Sequence, residues 1–397
     1  MNRLVIDLEA LRHNVATIDA WMRAAGARWT LVTKVLCGEP TILRALAAMG
    51  VRSVGESRLA NLDDVTTAMP RAEIWYLRPT HPSAVAAVVA HCGVSLNSEI
   101  ETLRLIDAEA GRRGVLHRAL AMVELGDLRE GMLPVHLPAF CEAAQRLRHV
   151  RLVGLGANLG CLAGVLPTSE HFAQLALYRE LIELKLGCRL PIVSAGTSVA
   201  LPQLRAGRVP LGINHYRIGE AVFLGTDLVS GGTIPGLRDD VVILRAEVAE
   251  LKRKALAPSG ELGADAHVLA DPARGRLGER GWRALISIGQ YDAECGGLLP
   301  LDARHVVAGA SSDLTVLNLG DDAGGLRVGD DVGFRLRYAA LLRLMGSRYV
   351  AKVVQGAAAP ALELAQERLG RRRPGRGAEI ISMPRRDATP AAHGGTA

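Results

Sequence analysis

Two rhythms of apolar and polar positions run along this chain, and the change from one to the other falls near residue 226. Before it, short apolar runs alternate with stretches whose apolar residues recur at helical spacing. Asp7 reads as an N-cap, and Leu8, Leu11, Val15, Ile18 and Met22 follow on one helix face. The strand WTLVTK (29–34) comes next. The further strand candidates are SVGES (53–57), IWYLR (74–78), VSLN (94–97), LAMVELGD (120–127), LVGLGAN (152–158), IVSAG (192–196) and YRIGEAVF (216–223). Amphipathic helices such as SEIETLRLIDAEAGRRG and HFAQLALYRELIELKLG lie between them. Strand alternating with helix implies a parallel sheet. Eight such units in about 200 residues fit a (β/α)₈ barrel, an α/β TIM barrel. A doubly wound sheet would carry G-x-G-x-x-G after its first strand. Here that strand ends in Lys34, and GLGANLG (154–160) has a different glycine spacing and comes only at the sixth strand.

After residue 226 the pattern is strands punctuated by Gly, Asp and Pro: VVILRAEVAELKRKAL, RALISIGQYD, HVVAGASSDLTVLNLG, DDVGFRLRYAALLRLM and RYVAKVVQ. The expected organisation is a barrel over 1–226, an all-β domain over 227–355 and a disordered, solvated tail over 356–397.

Composition narrows the classes without naming a chemistry. Apolar residues make up 49% and charged ones 22%, the balance of a soluble globular chain. No apolar run approaches the length of a membrane span. MNRLVIDLEALRHN brings in charge too early for a signal peptide, so the expected compartment is the cytoplasm. Much of the +6 net charge sits in the tail segments GRRRPGRG (370–377) and PRRD (384–387), without stacking aromatics, which argues against nucleic acid. The six cysteines are scattered with no C-x-x-C pair, and no H-E-x-x-H occurs, so no disulfide framework or metal site is expected.

The barrel changes the meaning of one residue. A lone lysine at a strand end usually snorkels to water. In a barrel, polar residues at the strands' C-terminal ends line the active site. Lys34 holds such a place, as do Asn158, Thr197, Ser198 and Gly219, while Asp127 and Arg129 follow the fifth strand. Thr197 and Ser198 offer hydroxyls, and Gly196 and Gly219 let backbone amides approach a phosphate. A desolvated lysine near other cations has a lowered pKa and acts as a nucleophile. Such a lysine facing a phosphate cradle points to an aldehyde on a phosphorylated cofactor, pyridoxal 5′-phosphate. An aldolase acting on a sugar phosphate gives the same pattern.

The chain resembles the alanine racemase fold, the barrel-type pyridoxal-phosphate enzymes with an appended β-domain, and within it the ornithine racemase-like branch. The likeness covers about residues 3 to 353. It rests on IDLEALRHN, TKVLCG, ELGDLREG, GANLGC, SAGTS, YRIGEAVFLG, SIGQYD, GASSD and YAALLRLMGSRYV in that order. It implies that Lys34 forms the Schiff base and acts as one acid/base. Arg217 faces the pyridine nitrogen. Thr197, Ser198, the amides of Gly219 and Glu220, and Tyr338 hold the phosphate. Arg129 lies near the cofactor phenolate and the substrate carboxylate. Asn158 sits against the ring where alanine racemases have histidine. Ser312 and Asp313 reach the partner subunit's site in a homodimer. Each residue also has a plain structural reading: Arg129 paired with Asp127 or Glu130, Arg217 paired with Glu220, Asn158 in a turn, Tyr338 in the core, and Ser312 and Asp313 starting a turn.

The implied reaction is racemisation of a free amino acid by two bases on opposite faces of Cα. Alanine racemases place the second base, a tyrosine, directly after the glycine of I-G-Y. Here the order is Ile288, Gly289, Gln290, Tyr291, which makes Tyr291 the candidate, displaced by one residue. The expected substrate is a basic amino acid such as ornithine or lysine, its distal ammonium received by Glu56, Glu124, Asp292 or Glu294. The alternatives are an alanine or broad-specificity racemase, a decarboxylase of basic amino acids, and a non-catalytic pyridoxal-phosphate carrier. A decarboxylase is expected to set an acidic residue against the ring nitrogen, where Arg217 stands, and a carrier usually lacks a β-domain. A metal-dependent D-amino-acid aldolase would need a His/Cys pair in that domain.

Overall fold

The computed structural model describes residues 2–259, 261 and 278–357. The tail expected over 356–397 therefore lies outside the described residues, apart from its first two. Short buried segments, each followed by a helix, build the first body. Eight of them close into a parallel barrel: β2 (Arg28–Val32), β3 (Ser53–Glu56), β4 (Glu73–Tyr76), β5 (Val94–Asn97), β6 (His117–Val123), β7 (Val150–Ala157), β8 (Ile192–Ala195) and β9 (His215–Ile218). Closure sets β9 beside β2, with Thr30 opposite Arg217.

Chemistry starts the first helix. The Asp7 carboxylate accepts the N–H groups of Glu9 and Ala10 at 2.8 and 2.9 Å and so caps the helix Leu8–Ala24. Leu8, Leu11, Val15, Ile18 and Met22 on its inner face are all buried. Asn14 is buried among them and donates to the carbonyls of Val222 and Arg238, so the helix is stitched across the chain.

The barrel interior is divided. Trp75, Val94, Leu96, Leu120, Met122 and Val153 form an apolar cluster. Across from it, β2, β8 and β9 bring in Thr30, Ser194, His215 and Arg217, all buried. Side chains two apart on a strand share a face, so His215 and Arg217 both enter the interior while Tyr216 and Ile218 turn outward to the helices.

The second body is an eight-stranded sheet. Its main path runs β12 (Leu298–Pro300), β15 (Asp331–Leu336), β10 (Val242–Ala255), β11 (Arg280–Ile286), β14 (Thr315–Gly320) and β13 (Val306–Ala310). The first strand of the chain, β1 (Arg3–Asp7), pairs antiparallel with β10 and parallel with the last, β16 (Ala351–Gln355). The segment leading into the first helix thus joins the β-sheet rather than the barrel.

Other segments depart from the sequence expectation as well. LAMVELGD stops being strand at Val123, and YRIGEAVF stops at Ile218, after which Glu220–Leu224 is a short helix. YAALLRLM is not strand at all, because Tyr338–Gly346 forms a helix burying Ala340, Leu341, Leu344 and Met345. No described helix is long and apolar enough to cross a membrane.

Candidate active site

Parallel strands put all their C-terminal ends at one rim. There the turns after β2, β3, β4, β6, β7, β8 and β9 enclose a cavity of about 660 Å³. Lys34, Arg129, Asn158, Thr197, Ser198, Arg217, Gly219 and Glu220 line it, and Tyr338 enters from the second body.

Lys34 does not end a strand. The strand stops at Val32, and Lys34 opens one 3₁₀ turn, Lys34–Leu36, beneath which the Thr33 N–H bonds the Gly55 carbonyl at 2.9 Å. Cys37 and Gly38, both at positive φ, then reverse the chain. The Lys34 Nζ stands 5.9 Å from the centre of the Tyr338 ring. Burial lowers the lysine pKa from its ordinary value, and Arg129 adds to this, while Cys161, Glu130 and Glu56 pull it back.

Arg217 is buried and finds no carboxylate partner among the described residues. Its guanidinium donates to the Ala157 carbonyl at 2.8 Å, to the Ser194 carbonyl at 3.1 Å, to the Ser194 hydroxyl and, at 3.4 Å, to the Asn158 side chain. The ion pair with Glu220 considered from sequence is not formed. Arg129 does pair with Glu130, whose side chain is buried at the cleft wall. Asp127 has a different task. Its buried carboxylate accepts the N–H groups of Cys161, Leu162 and Val165, clipping the turn after β6 to the turn after β7.

The phosphate-type cradle is made from backbone and hydroxyls. The Ser198 hydroxyl meets the Ala221 N–H at 3.1 Å and so joins the turns after β8 and β9. A Cβ on Gly219 would stand 3.0 Å from Val32 Cβ and 3.2 Å from its carbonyl oxygen, so a side chain there would press on the end of β2 and glycine gives the close approach freely. Asn158 Nδ2 is buried without a partner. The floor therefore offers amides, hydroxyls, a guanidinium and an unmet amide donor, a set that fits an anionic, acceptor-rich ligand such as pyridoxal phosphate.

One carboxyl stands out in this donor-rich rim. Burial raises the pKa of Glu220 from its ordinary value near 4.5 to about 7, with Lys34 opposing the shift. A carboxyl whose folded pKa lies above its unfolded one favours folding when protonated. That contribution is lost as pH rises through the window from 4.5 to about 7. The cofactor-free protein should therefore lose stability between about pH 5 and about pH 8 by an amount that Glu220→Gln removes. Thermal midpoints of both proteins at the two pH values test this, and equal slopes would refute it.

Tyr291, Ser312 and Asp313 do not line this cleft. They lie together on the surface of the second body, where the Tyr291 N–H bonds the Ser312 carbonyl at 2.9 Å. The Tyr291 ring is 71% exposed and packs against Tyr349 at 5.8 Å. Because β11 ends at Ile286, Tyr291 stands in a loop, so the strand-face argument about a one-residue displacement does not govern it. Glu56, Glu124, Asp292 and Glu294 also lie outside the cleft lining. Glu124 accepts N–H groups from Gly126, Leu128 and Arg129, and Asp292 accepts from the Ser347 hydroxyl. The carboxylates that do line it are Glu130 and Glu220. Sequence reasoning did not single out Cys161, Ser57 or Arg58, and it read Glu130 only as a partner for Arg129 and not as a cleft residue. Glu130 adjoins Arg129 in ELGDLREG and was the one with a readable signal.

The family described as "Alanine racemase, N-terminal domain" matches residues 6–227. The chain belongs to the alanine racemase family. This member is 32% identical over 351 residues to the ornithine racemase of Acetoanaerobium sticklandii, covering 88% of this chain and 98% of that one. It is 33% identical over 358 residues to the lysine racemase of Thermotoga maritima, covering 89% and 98%. Its fold matches the crystal structure of alanine racemase from Bartonella henselae with covalently bound pyridoxal phosphate, with a TM-score of 0.67 at 16% identity, over 89% of this chain and 99% of that one. This alanine racemase family member is an isomerase of the racemase class, and its family implies pyridoxal phosphate as cofactor.

Proposed function

We propose that this enzyme racemises a basic amino acid, ornithine or lysine, with pyridoxal phosphate attached at Lys34 and as a homodimer. The observation that carries the reading is one donor-rich cleft joining Lys34, Arg217, Thr197, Ser198 and Gly219. The substrate class comes from the two relatives, an ornithine racemase and a lysine racemase that match nearly the whole chain.

When bound, the cofactor supplies an aldehyde for an amino group and an electron-withdrawing ring that acidifies the substrate α C–H. Thr197, Ser198, the amides of Gly219 and Glu220, and Tyr338 would hold its phosphate. Arg217 would face the ring nitrogen and Asn158 the ring. A guanidinium donates hydrogen bonds without surrendering a proton, so Arg217 would leave that nitrogen unprotonated. This is the reason for expecting racemisation rather than the chemistry of a site with an acid in that place. Arg129 orients the substrate carboxylate. Lys34 Nζ takes or returns the α proton on one face. Tyr291 of the partner subunit does so on the other, with Ser312 and Asp313 beside it.

A panel of L-amino acids, incubated with enzyme and added cofactor and scored for the D-enantiomer, tests this reading. D-Ornithine and D-lysine should form fastest. Release of carbon dioxide, or a preference for alanine, would replace this reading with one of its rivals.

A further inference from the structure

The polar half of the barrel interior holds hydrogen bonds that the proposed reaction does not use. We infer that His215 is a positioning residue for Arg217, acting through Ser194 from the far side of the cleft floor. His215 is buried and does not line the cleft. It borders instead a second cavity of about 440 Å³, formed around the starts of β2, β3, β4 and β9.

Hydrogen bonds join the two ends. Arg217 Nη1 donates to the Ser194 hydroxyl, which lies 2.9 Å from His215 Nδ1. His215 Nε2 lies 3.0 Å from Thr30 Oγ1, and that oxygen lies 2.8 Å from the Ser53 hydroxyl. The Trp75 ring stacks on the imidazole at 4.3 Å and 5°, holding its plane.

The bonds in this chain take one consistent set of directions, starting from a guanidinium that only donates. Ser194 Oγ accepts from Arg217, so the serine proton must go elsewhere, and Nδ1 of His215 is its remaining acceptor. Nδ1 is then bare and the proton sits on Nε2, which donates to Thr30. The Thr30 hydroxyl, accepting there, keeps its own proton free for Ser53. A protonated imidazole would reverse the serine contact and add a cation beside Arg217 and Arg28. Burial and those two charges accordingly push the His215 pKa down to about 3. The Arg118–Glu73 pair borders the same lower cavity. The imidazole thus serves as a fixed neutral acceptor that locks the Ser194 hydroxyl, and with it the plane of the guanidinium.

This inference rests on Arg217 facing the cofactor, but its first test does not. In cofactor-free protein labelled with ¹⁵N-histidine, the His215 ring should show the Nε2–H tautomer at neutral pH, and Ser194→Ala should release it into a mixture. An Nδ1–H ring in the wild type would overturn the polarity and the proposal. The second test is cofactor affinity by equilibrium dialysis. Ser194→Ala and His215→Leu should each weaken binding about tenfold. His215→Asn, which keeps an acceptor near the Nδ1 place, should restore most of it. In an Arg217→Lys background the Ser194→Ala loss should vanish, since its target is gone. A loss that persists there would mean a merely structural role and overturn the proposal. Should His215→Leu fail to fold, Ser194→Ala and His215→Asn still decide. A wild type that binds no cofactor would refute the functional reading, and the ring tautomer would still decide this one.

Discussion

Lys34→Ala should retain no cofactor through borohydride reduction and should racemise at least about 10⁴-fold more slowly than the wild type. The size of the effect follows from how little in the cleft could take over. The chain has four other lysines, Lys185, Lys252, Lys254 and Lys352, and none of them lines this cavity. The remaining cations there are arginines, which stay protonated and make no imine. On the proposed reading, losing Lys34 would remove both the covalent anchor and one of two proton-transfer groups, and the second could not act alone across a planar carbon. The fold should survive, because Lys34 makes no ion pair among the described residues and its turn is held by the backbone of Thr33 and Gly55. Reduction followed by peptide mapping is the check. Label on another lysine of the wild type, or full activity in Lys34→Ala, would remove the basis for the proposed chemistry.

What the sequence could tell depended on whether the signal was local. Each barrel strand is a short apolar run between amphipathic helices, so all eight could be located from their immediate neighbours. Their ends were harder. In YRIGEAVF the apolar residues continue past Ile218 because the short helix Glu220–Leu224 is itself buried, and the periodicity of five residues cannot separate helix from strand. The same density hid the helix Tyr338–Gly346 inside what read as strand. Strand β1 was missed for another reason. Its partners lie over two hundred residues away, with Arg3 opposite Arg245 and Ala351, and pattern within RLVID carries nothing about them. At the site, rim residues were legible once the barrel was recognised, since a polar residue after a strand has a known place there. Ser194 and His215 were not. They lie inside strands, and the run of bonds from Thr30 through His215 and Ser194 to Arg217 exists only because closure sets β8 and β2 on either side of β9.

Arg217→Lys is the substitution expected to cost most after loss of Lys34, although it preserves formal charge. The guanidinium spreads donors to the Ala157 and Ser194 carbonyls, the Ser194 hydroxyl and Asn158, in a fork that an ammonium on a shorter reach cannot reproduce. Loss of one or two charge-assisted bonds, at about 1.5–3 kcal/mol each, predicts a fall in kcat/KM of about 10²-fold or more. A second effect distinguishes this variant from simple damage. Arginine stays ionised at any working pH, so the wild type shows no ionisation from this position. A lysine in a fully desolvated place has its pKa driven down by several units. The variant should therefore gain a titration near neutrality. On the alkaline side its ammonium becomes a neutral amine, and the donor proposed to face the cofactor is weakened. On the acid side the protonated lysine stands where a proton can be passed on, which arginine never allows. Activity against pH should show an extra limb in Arg217→Lys that is absent from the wild type and from Glu220→Gln. An unchanged profile with near wild-type turnover would mean that the buried cation matters to the fold alone, and that the preference for racemisation is set elsewhere in the cleft.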